Sequence, residues 1–323
     1  MKQKRIKLLV AIMTLCLVSS FTVAIAYGGS EGNSPGTAHV ASAIPAITSP
    51  ELWNLAEDTN ENGQPITVST EYHLNFTIAD ANTLADLDNV TIRFWLDGTA
   101  TENDTDAEAN HYSYTWVEAT DTWASLTGAG YIVQDNCEDP GTAGSVTTYE
   151  FRLGFKVSRV ALYATASNWK VSIFVWDDSD NGDADQTLGC GIAFYAEIGM
   201  TDSTHEWTGL TPGVSINETV DGDGDIDFTV LANANWNATT KASGDLTKAP
   251  DTIPLLDNLY FNKTGVAVNM ETGYLDIPGL TNQNPPTAEA SPTATNEVLY
   301  LCVPGGTPSG DYTYTLYINI IKA

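Results

Sequence analysis

The sequence has few basic residues. It carries 13 Lys and Arg against 41 Asp and Glu in 323 residues, a formal net charge of −28. A surface this acidic repels phosphate backbones and anionic lipid headgroups, which argues against binding to nucleic acid or to a membrane surface. Charged residues are nevertheless only 17% of the chain and hydrophobic residues are 42%, so the composition indicates a folded core and not a disordered acidic tail.

Catalytic motifs are also scarce. The sequence contains no phosphate-binding loop and no His-Glu-x-x-His, and its two Gly-x-Ser-x-Gly matches, Gly28–Gly32 and Gly32–Gly36, lie within the Gly/Ser-rich stretch Tyr27–Gly36. The four histidines, His39, His73, His111 and His205, are scattered without a partner Asp or Ser at motif spacing. A pair of carboxylates of the glycosidase kind is expected by chance among 41 acids. We therefore expect that the chain is not an enzyme.

The sequence has one long hydrophobic run, Leu8 to Ala26. It follows the basic start MKQKRIK and ends in the small-x-small pattern Ala24-Ile25-Ala26, which predicts a secretory signal peptide over residues 1–26, with a membrane anchor as the alternative. We expect an extracellular or cell-surface protein whose mature chain does not insert into a membrane. Residues 27–323 keep nine basic and all 41 acidic residues, a net charge of −32.

Cysteine is scarce. Once Cys16 leaves with the signal peptide, Cys137, Cys190 and Cys302 remain, and no Cys-x-x-Cys or His cluster accompanies them as a zinc site would require. Export makes a disulfide chemically feasible, and we predict Cys137–Cys190 because both lie in the first of the two domains predicted below. The alternative is that all three are buried thiols.

Alternation of apolar and polar residues dominates the rest of the sequence. A period of two is typical of strands with one face on a core and the other in water, and turn clusters of Gly, Asp, Asn and Pro separate the segments. The pattern predicts an all-β protein of antiparallel β-sandwich type. The clearest segments are Val68–Ile78, Val90–Leu96, Tyr149–Val157, Val171–Val175, Ile226–Val230, Val266–Met270 and Tyr312–Ile320.

A polar stretch with Gly and Pro, Gly199–Pro212, predicts a boundary between two domains of normal size. We expect a flexible N-terminal arm over 27–50, a first sandwich over 51–199, a linker over 200–212 and a second sandwich over 213–323. Val40, Ser42, Ile44 and Ala46 in the arm have a strand period, so the arm either inserts into an open sheet edge of a neighbouring copy or serves as a spacer.

Two loops are rich in aspartate. Carboxylates spaced by two residues around Gly converge on hard cations, which predicts Ca²⁺ as a cofactor, although neither loop has the Glu of an EF-hand. The alternative is that they are solvated turn residues. The first loop carries Asp177, Asp178, Asp180, Asp183 and Asp185, and the second carries Asp221, Asp223, Asp225 and Asp227.

Two kinds of surface site are predicted. Trp95 lies between Phe94 and Leu96 on a strand, so it faces away from their core and is a candidate contact for a glycan, whereas Trp169 is expected in a core and Trp116 and Trp123 beside a hairpin. Six Asn-x-Ser/Thr sequons follow the signal peptide and make the chain a candidate glycoprotein in an organism with N-glycosylation. They are Asn75, Asn89, Asn103, Asn217, Asn237 and Asn262.

Four segments carry a resemblance. EYHLNFTIADANTLADLDNVTIRFWLDG, YEFRLGFKVSRVAL and NWKVSIFVWDDSDNGD resemble the immunoglobulin- or fibronectin-like modules of secreted archaeal and bacterial surface proteins, and LYLCVPGGTPSGDYTYTLYINI resembles their closing hairpin. The resemblance covers about a third of the chain and implies two immunoglobulin-like sandwich domains in tandem. Its motifs are structural, so they support the fold more than a function.

Together these features predict a secreted structural or adhesive protein that associates with itself in a filament, surface layer or matrix. The alternative is a Ca²⁺-dependent module that binds glycans or other surface proteins.

Overall fold

The computed structural model describes residues 43–125, 131–141, 146–202, 206–214, 225–262 and 267–323. Ser42–Ala323 forms one compact unit, and the other unit, Met1–Ala41, lies outside the described residues together with the predicted signal peptide. Regular structure in the described ranges consists of strands and three short 3-10 helices, Leu84–Asp86, Glu118–Thr120 and Gln134–Asn136. The predicted all-β fold class is confirmed. None of the described helices is long and apolar enough to cross a bilayer.

Nine strands form a first sandwich. A three-stranded sheet has the order β1-β3-β7, and a six-stranded sheet has the order β2-β9-β8-β4-β5-β6, in which only β2 and β9 run parallel. The strands are β1 (Ala46–Asn54), β2 (Pro65–Ile66), β3 (Tyr72–Ala79), β4 (Leu87–Leu96), β5 (His111–Val117), β6 (Thr122–Ser125), β7 (Thr148–Phe155), β8 (Ala164–Asp177) and β9 (Gly182–Ile192).

Aromatic rings join the two sheets of this sandwich. Phe94 on β4 lies 4.7 Å from Phe155 on β7 between ring centroids, and Trp116 on β5 meets Phe151 on β7 edge to face at 5.3 Å. All four side chains are at most 1% exposed. Alternation along each strand places these rings on the inner face, so their burial follows from the period of two in the sequence.

Ten further strands form a second sandwich. A five-stranded sheet has the order β10-β11-β18-β15-β16, a three-stranded sheet has the order β17-β12-β19, and β13 and β14 form a hairpin. The strands are β10 (Ala196–Met200), β11 (Asp225–Ala232), β12 (Trp236–Ala242), β13 (Leu246–Lys248), β14 (Asp251–Ile253), β15 (Leu259–Asn262), β16 (Val268–Asn269), β17 (Leu275–Asp276), β18 (Thr293–Leu301) and β19 (Leu316–Lys322).

The second sandwich has its own hydrophobic core. Trp236 on β12, Phe228 on β11 and Phe261 on β15 are its largest side chains, each at most 1% exposed. The stretch predicted as a linker contributes to this core, because Trp207 and Leu210 pack against it and the Trp207 ring stacks on Tyr314 at 6.3 Å. By its pairing with β11, β10 belongs to the second sandwich, so the two cores divide before Ala196. The domain boundaries themselves stay a prediction.

A carboxylate connects the two sandwiches. Glu289 lies in the Pro-rich segment before β18, and its Oε1 accepts bonds from the Ser158 hydroxyl (2.9 Å) and the Arg159 backbone N–H (2.6 Å). Its Oε2 accepts the Arg159 Nε–H at 3.0 Å. Arg159 also donates to Glu197 on β10 at 2.7 Å, so the segment between β7 and β8 is bonded to two parts of the second sandwich.

The last strand is shorter than the alternation predicts. The pattern began at Tyr312, whereas β19 begins at Leu316. The intervening backbone pairs elsewhere, because Thr313 and Thr247 exchange both of their N–H···O bonds at 2.9 and 3.0 Å. That bridge ties the chain to β13 before it turns onto β12 as β19.

Candidate assembly edge

β19 is the outermost strand of the sheet β17-β12-β19. Among the described strands it pairs with β12 alone, in an antiparallel register that joins Trp236 to Lys322 and Ala242 to Leu316. In the five-stranded sheet of the same sandwich, the outermost strand β10 lies near β19. Among the described strands β10 pairs with β11 alone. In the described part of the chain, therefore, one flank of the second sandwich carries two strands that pair on one side only.

The backbone bonds show which groups of β19 point outward. Ser243 N–H donates to Thr315 O, and Ala323 N–H donates to Asn235 O, both at 2.8 Å. Hydrogen-bonded pairs alternate along an antiparallel ladder, so odd-numbered residues of β19 bond β12. The N–H and C=O groups of the even-numbered residues point to the outer edge. These residues are Leu316, Ile318, Ile320 and Lys322.

The side chains of β19 suit strand pairing. The first six residues, LYINII, contain no charge, no Gly and no Pro, and Tyr317 and Ile321 on the solvent face are 44% and 40% exposed. Lys241 on β12 makes cation–π contacts with two rings: its Nζ lies 5.2 Å from the ring centroid of Tyr317 and 4.4 Å from that of Tyr274. A long, flat and apolar edge strand is a template for another strand, which most proteins avoid by placing charges, Pro or bulges there.

This edge differs in charge from the rest of the chain. β12 and β19 together contain no Asp or Glu, and they carry Lys241 and Lys322, whereas the whole sequence has a net charge of −28. Repulsion between two copies of the chain is therefore weaker along β12 and β19 than over an average part of its surface.

A buried carboxyl lies in the core next to this sheet. Glu297 on β18 is 0% exposed, and neither of its carboxyl oxygens has a hydrogen-bond partner. Burial raises its pKa to about 8, while the neighbouring Thr240 hydroxyl on β12 lowers it without reaching hydrogen-bond geometry. The carboxyl is therefore protonated below about pH 8. Alternation with Leu299 and Leu301 gives this position an inward direction, which is the sequence signal that could have singled out Glu297.

The first aspartate loop is the turn between β8 and β9. Asp177 is 2% exposed, and its Oδ1 accepts the backbone N–H groups of Ser179 (2.9 Å) and Asn181 (2.8 Å). Asp183 Oδ2 accepts the N–H of Ile47 on β1 at 2.9 Å. Asp178 and Asp180 are exposed, and Asp185 bonds to Thr187. These bonds are those of turn and strand positions.

Of the second aspartate loop, Asp221 and Asp223 lie outside the described residues, and Asp225 and Asp227 are on β11. In the described part of the chain, no three Asp, Glu, His or Cys side chains are placed to hold a metal ion. Ca²⁺ binding by either loop stays a prediction.

Trp95 faces away from the core of the first sandwich and is half-buried, opposite Lys170 and His111. Trp176 is more exposed, at 42%, but it pairs with Asn89 at the far end of β4. Six residues of strand separate the two positions, or about 20 Å. The fold therefore does not bring these two rings together as one platform.

The structure does not contain the predicted disulfide. Cys137 and Cys190 are free thiols. Cys137 Sγ lies 3.5 Å from Val133 O and 3.8 Å from Gly154 O, at the edge of the three-stranded sheet, whereas Cys190 belongs to β9 of the six-stranded sheet. Burial raises their pKa values to about 11 and about 12, so both remain thiols at neutral pH.

The sequons differ in position. Asn75 on β3 is 8% exposed, which leaves little room for a glycan, whereas Asn103 is exposed and its Oδ1 accepts from Arg93 at 2.5 Å. Glycosylation stays a prediction. Of the others, Asn89 is on β4, Asn237 is on β12, Asn262 ends β15 and Asn217 lies outside the described residues.

The fold and this edge define a class: an all-β protein with two sandwich cores and an uncapped outer strand. No family model matches the chain, and no curated protein matches it.

Three solved structures have a low similarity to it. A DUF4466 family protein from Parabacteroides merdae ATCC 43184 is 11% identical and covers 81% of this chain and 100% of its own. A variant of BcpA, the major pilin subunit of Bacillus cereus, is 8% identical and covers 78% and 66%. A chain named BspA_C_mut is 10% identical and covers 84% and 95%. All three TM-scores are 0.25, too low to support an argument about function.

Proposed function

We propose that the chain is an exported structural protein of the cell surface whose copies associate through the edge of β19. The observation that carries this proposal is the edge itself, an outer strand that among the described strands pairs with β12 alone, has no charge in its first six residues and exposes Tyr317 and Ile321. Strand addition satisfies the outward backbone groups of such an edge. The signal peptide predicted from the sequence supports the same proposal.

The acidity of the protein fits this role. Like charge over most of the surface keeps copies apart in solution, so association is restricted to a stretch that lacks acids. β12 and β19 form such a stretch. Subunits joined at this edge would be the units from which a filament, layer or matrix is built through further contacts.

The test is expression of the full chain with its own N-terminal segment and without a tag, followed by fractionation of cells, cell surface and medium. We expect the protein at the surface or in the medium, as particles larger than one chain by light scattering and electron microscopy. The double variant Tyr317→Lys with Ile321→Lys is expected to be exported but monomeric. A wild-type protein that is retained inside the cell, or that is exported and monomeric at every concentration, would contradict the proposal.

A further inference from the structure

The edge of β19 is complementary to itself. In an antiparallel pair of two β19 strands centred on Asn319, Leu316 lies opposite Lys322 of the second copy, and Ile318 lies opposite Ile320. All four residues are even-numbered, so all have their backbone groups at the outer edge, and each pair can exchange both N–H···O bonds. A shift by one residue would place even-numbered residues of one copy opposite odd-numbered residues of the other, whose N–H and C=O groups point to β12. The two strands can therefore shift only by an even number of residues.

The side chains agree with the same register. On the solvent face Tyr317 lies opposite Ile321 of the second copy, an aromatic–β-branched pair of the kind that stabilises sheets. Asn319 lies opposite Asn319, where two amides can bond to each other. Lys322 lies opposite Leu316 and not opposite a second lysine. Registers shifted by two residues leave part of the strand unpaired, whereas the pairing centred on Asn319 uses Leu316 to Lys322 in full.

We propose that two copies of this chain pair through β19 about a two-fold axis at Asn319, which joins two sheets into the order β17-β12-β19-β19-β12-β17. This inference rests on the proposed function and specifies the contact by which copies associate. The second copy is the occupant that the edge fits, because its strand supplies the matching backbone groups and brings no acid to the contact.

Cysteine cross-linking tests the register. Asn319 faces its counterpart in a non-hydrogen-bonded pair, where Cα atoms are about 4.5 Å apart, within the range of a disulfide. Under mild oxidation Asn319→Cys is expected to form a covalent dimer in most of the protein. Tyr317→Cys alone and Ile321→Cys alone are expected to stay unlinked, because like positions lie about four residues apart along the strands, whereas a mixture of the two variants is expected to cross-link.

Wild-type protein is the control for the native thiols, and sedimentation of each reduced variant measures association independently of the cross-link. Association without an Asn319→Cys dimer would overturn the two-fold register and leave the proposed function standing. If deletion of residues 27–42 then abolished that association, the N-terminal segment of a second copy would be the occupant instead. Absence of association in reduced wild-type protein would overturn both the register and the proposed function.

Discussion

β7 and β19 have the same position in their sheets, but their outer edges differ. A segment before β7 covers its edge: Val133 N–H donates to Gly154 O at 2.8 Å, Lys156 N–H donates to Tyr131 O at 2.9 Å, and Arg152 and Glu138 exchange both backbone bonds. A 2.5 Å ion pair between the Arg152 and Glu138 side chains reinforces this cover. No described segment covers β19 in this way.

The difference separates a closed edge from one available for assembly. Covering an edge with a loop and pairing charges over it is a known protection against strand addition. The first sandwich has this protection along β7, so the outer edge of β7 is not open to a strand of another copy. The second sandwich presents β19, a seven-residue outer strand that exposes Tyr317 and Ile321, whereas the outer strand β1 of the first sandwich carries Pro50 and Glu51. We infer that association is a property of the second sandwich.

The largest expected effect concerns the core under β19. Glu297 has an ordinary pKa of 4.5 in the unfolded chain and about 8 in the fold, so the unfolded state ionises first and stability falls as pH rises from about 5 to 8. The loss amounts to roughly 3–5 kcal/mol. We expect Glu297→Gln to remove this slope in urea unfolding measured between pH 5 and 9.

Glu289 gives the opposite sign and serves as the control. Burial raises the pKa of Glu289. Hydrogen bonds from the Arg159 N–H, the Ser158 hydroxyl and the Arg159 side chain lower it by more, so the net pKa is below 4.5. The Glu289 carboxylate therefore stabilises the fold above pH 4.5, and this stabilisation is lost as the pH falls through the lowered pKa of the folded state. Equal slopes in wild type and Glu297→Gln above pH 5 would contradict the account of Glu297.

Gly154→Ala is expected to uncover the outer edge of β7. A Cβ at this position would lie 2.9 Å from Val133 O and 3.1 Å from Asn136 Cβ, so the covering segment has to move. We expect a loss of about 1–3 kcal/mol in urea unfolding and new association through β7, detected by sedimentation. Gly305→Ala is the matched control, because no atom lies within 4 Å of its added Cβ. A Gly154→Ala protein that is less stable but associates no more than wild type would show that the cover does not protect β7.

Asn319→Asp is the mildest change to β19. It keeps the shape of the side chain but places two carboxylates opposite each other at the two-fold axis, which weakens the pair at neutral pH. We expect the dissociation constant to rise about tenfold, with recovery near pH 4 as the carboxylates take up protons. Asn237→Asp on the neighbouring strand β12 has the same chemistry away from the axis and is expected to change association less. Equal effects of the two variants would contradict the register.

Much of the fold could be predicted from alternation alone. β3, β4, β7, β8 and β11 overlap the predicted segments because their inner positions carry large apolar residues. β1 was missed, because a register shift between Thr48 and Glu51, with Ser49 at a φ of 54°, interrupts its alternation. β12 was missed because its inner positions after Trp236 are Ala and Thr, which local patterns do not mark as a strand.

The assembly edge could be predicted only in part. The alternation of Leu316, Ile318 and Ile320 predicts a strand, but whether a strand lies inside a sheet or at its edge depends on partners far away in the sequence. β19 pairs with β12, whose register joins Ile320 to Ala238. The cover of β7 is likewise set by pairings that no local pattern encodes, such as that of Glu138 with Arg152. The same limit applies to Cys137 and Cys190, because the fold places Cys190 on β9 of the six-stranded sheet and Cys137 after a 3-10 helix beside the three-stranded sheet.

Sedimentation velocity of Ile318→Pro beside Ile318→Ala tests the central claim most directly. Both variants lose the same partly buried side chain. Only proline also removes the N–H that points to the outer edge, and a proline is tolerated where that N–H has no ladder partner. We predict that Ile318→Ala associates as wild type does and that Ile318→Pro is a folded monomer at every concentration. Association of Ile318→Pro equal to that of Ile318→Ala would contradict the claim that copies of the chain pair through β19.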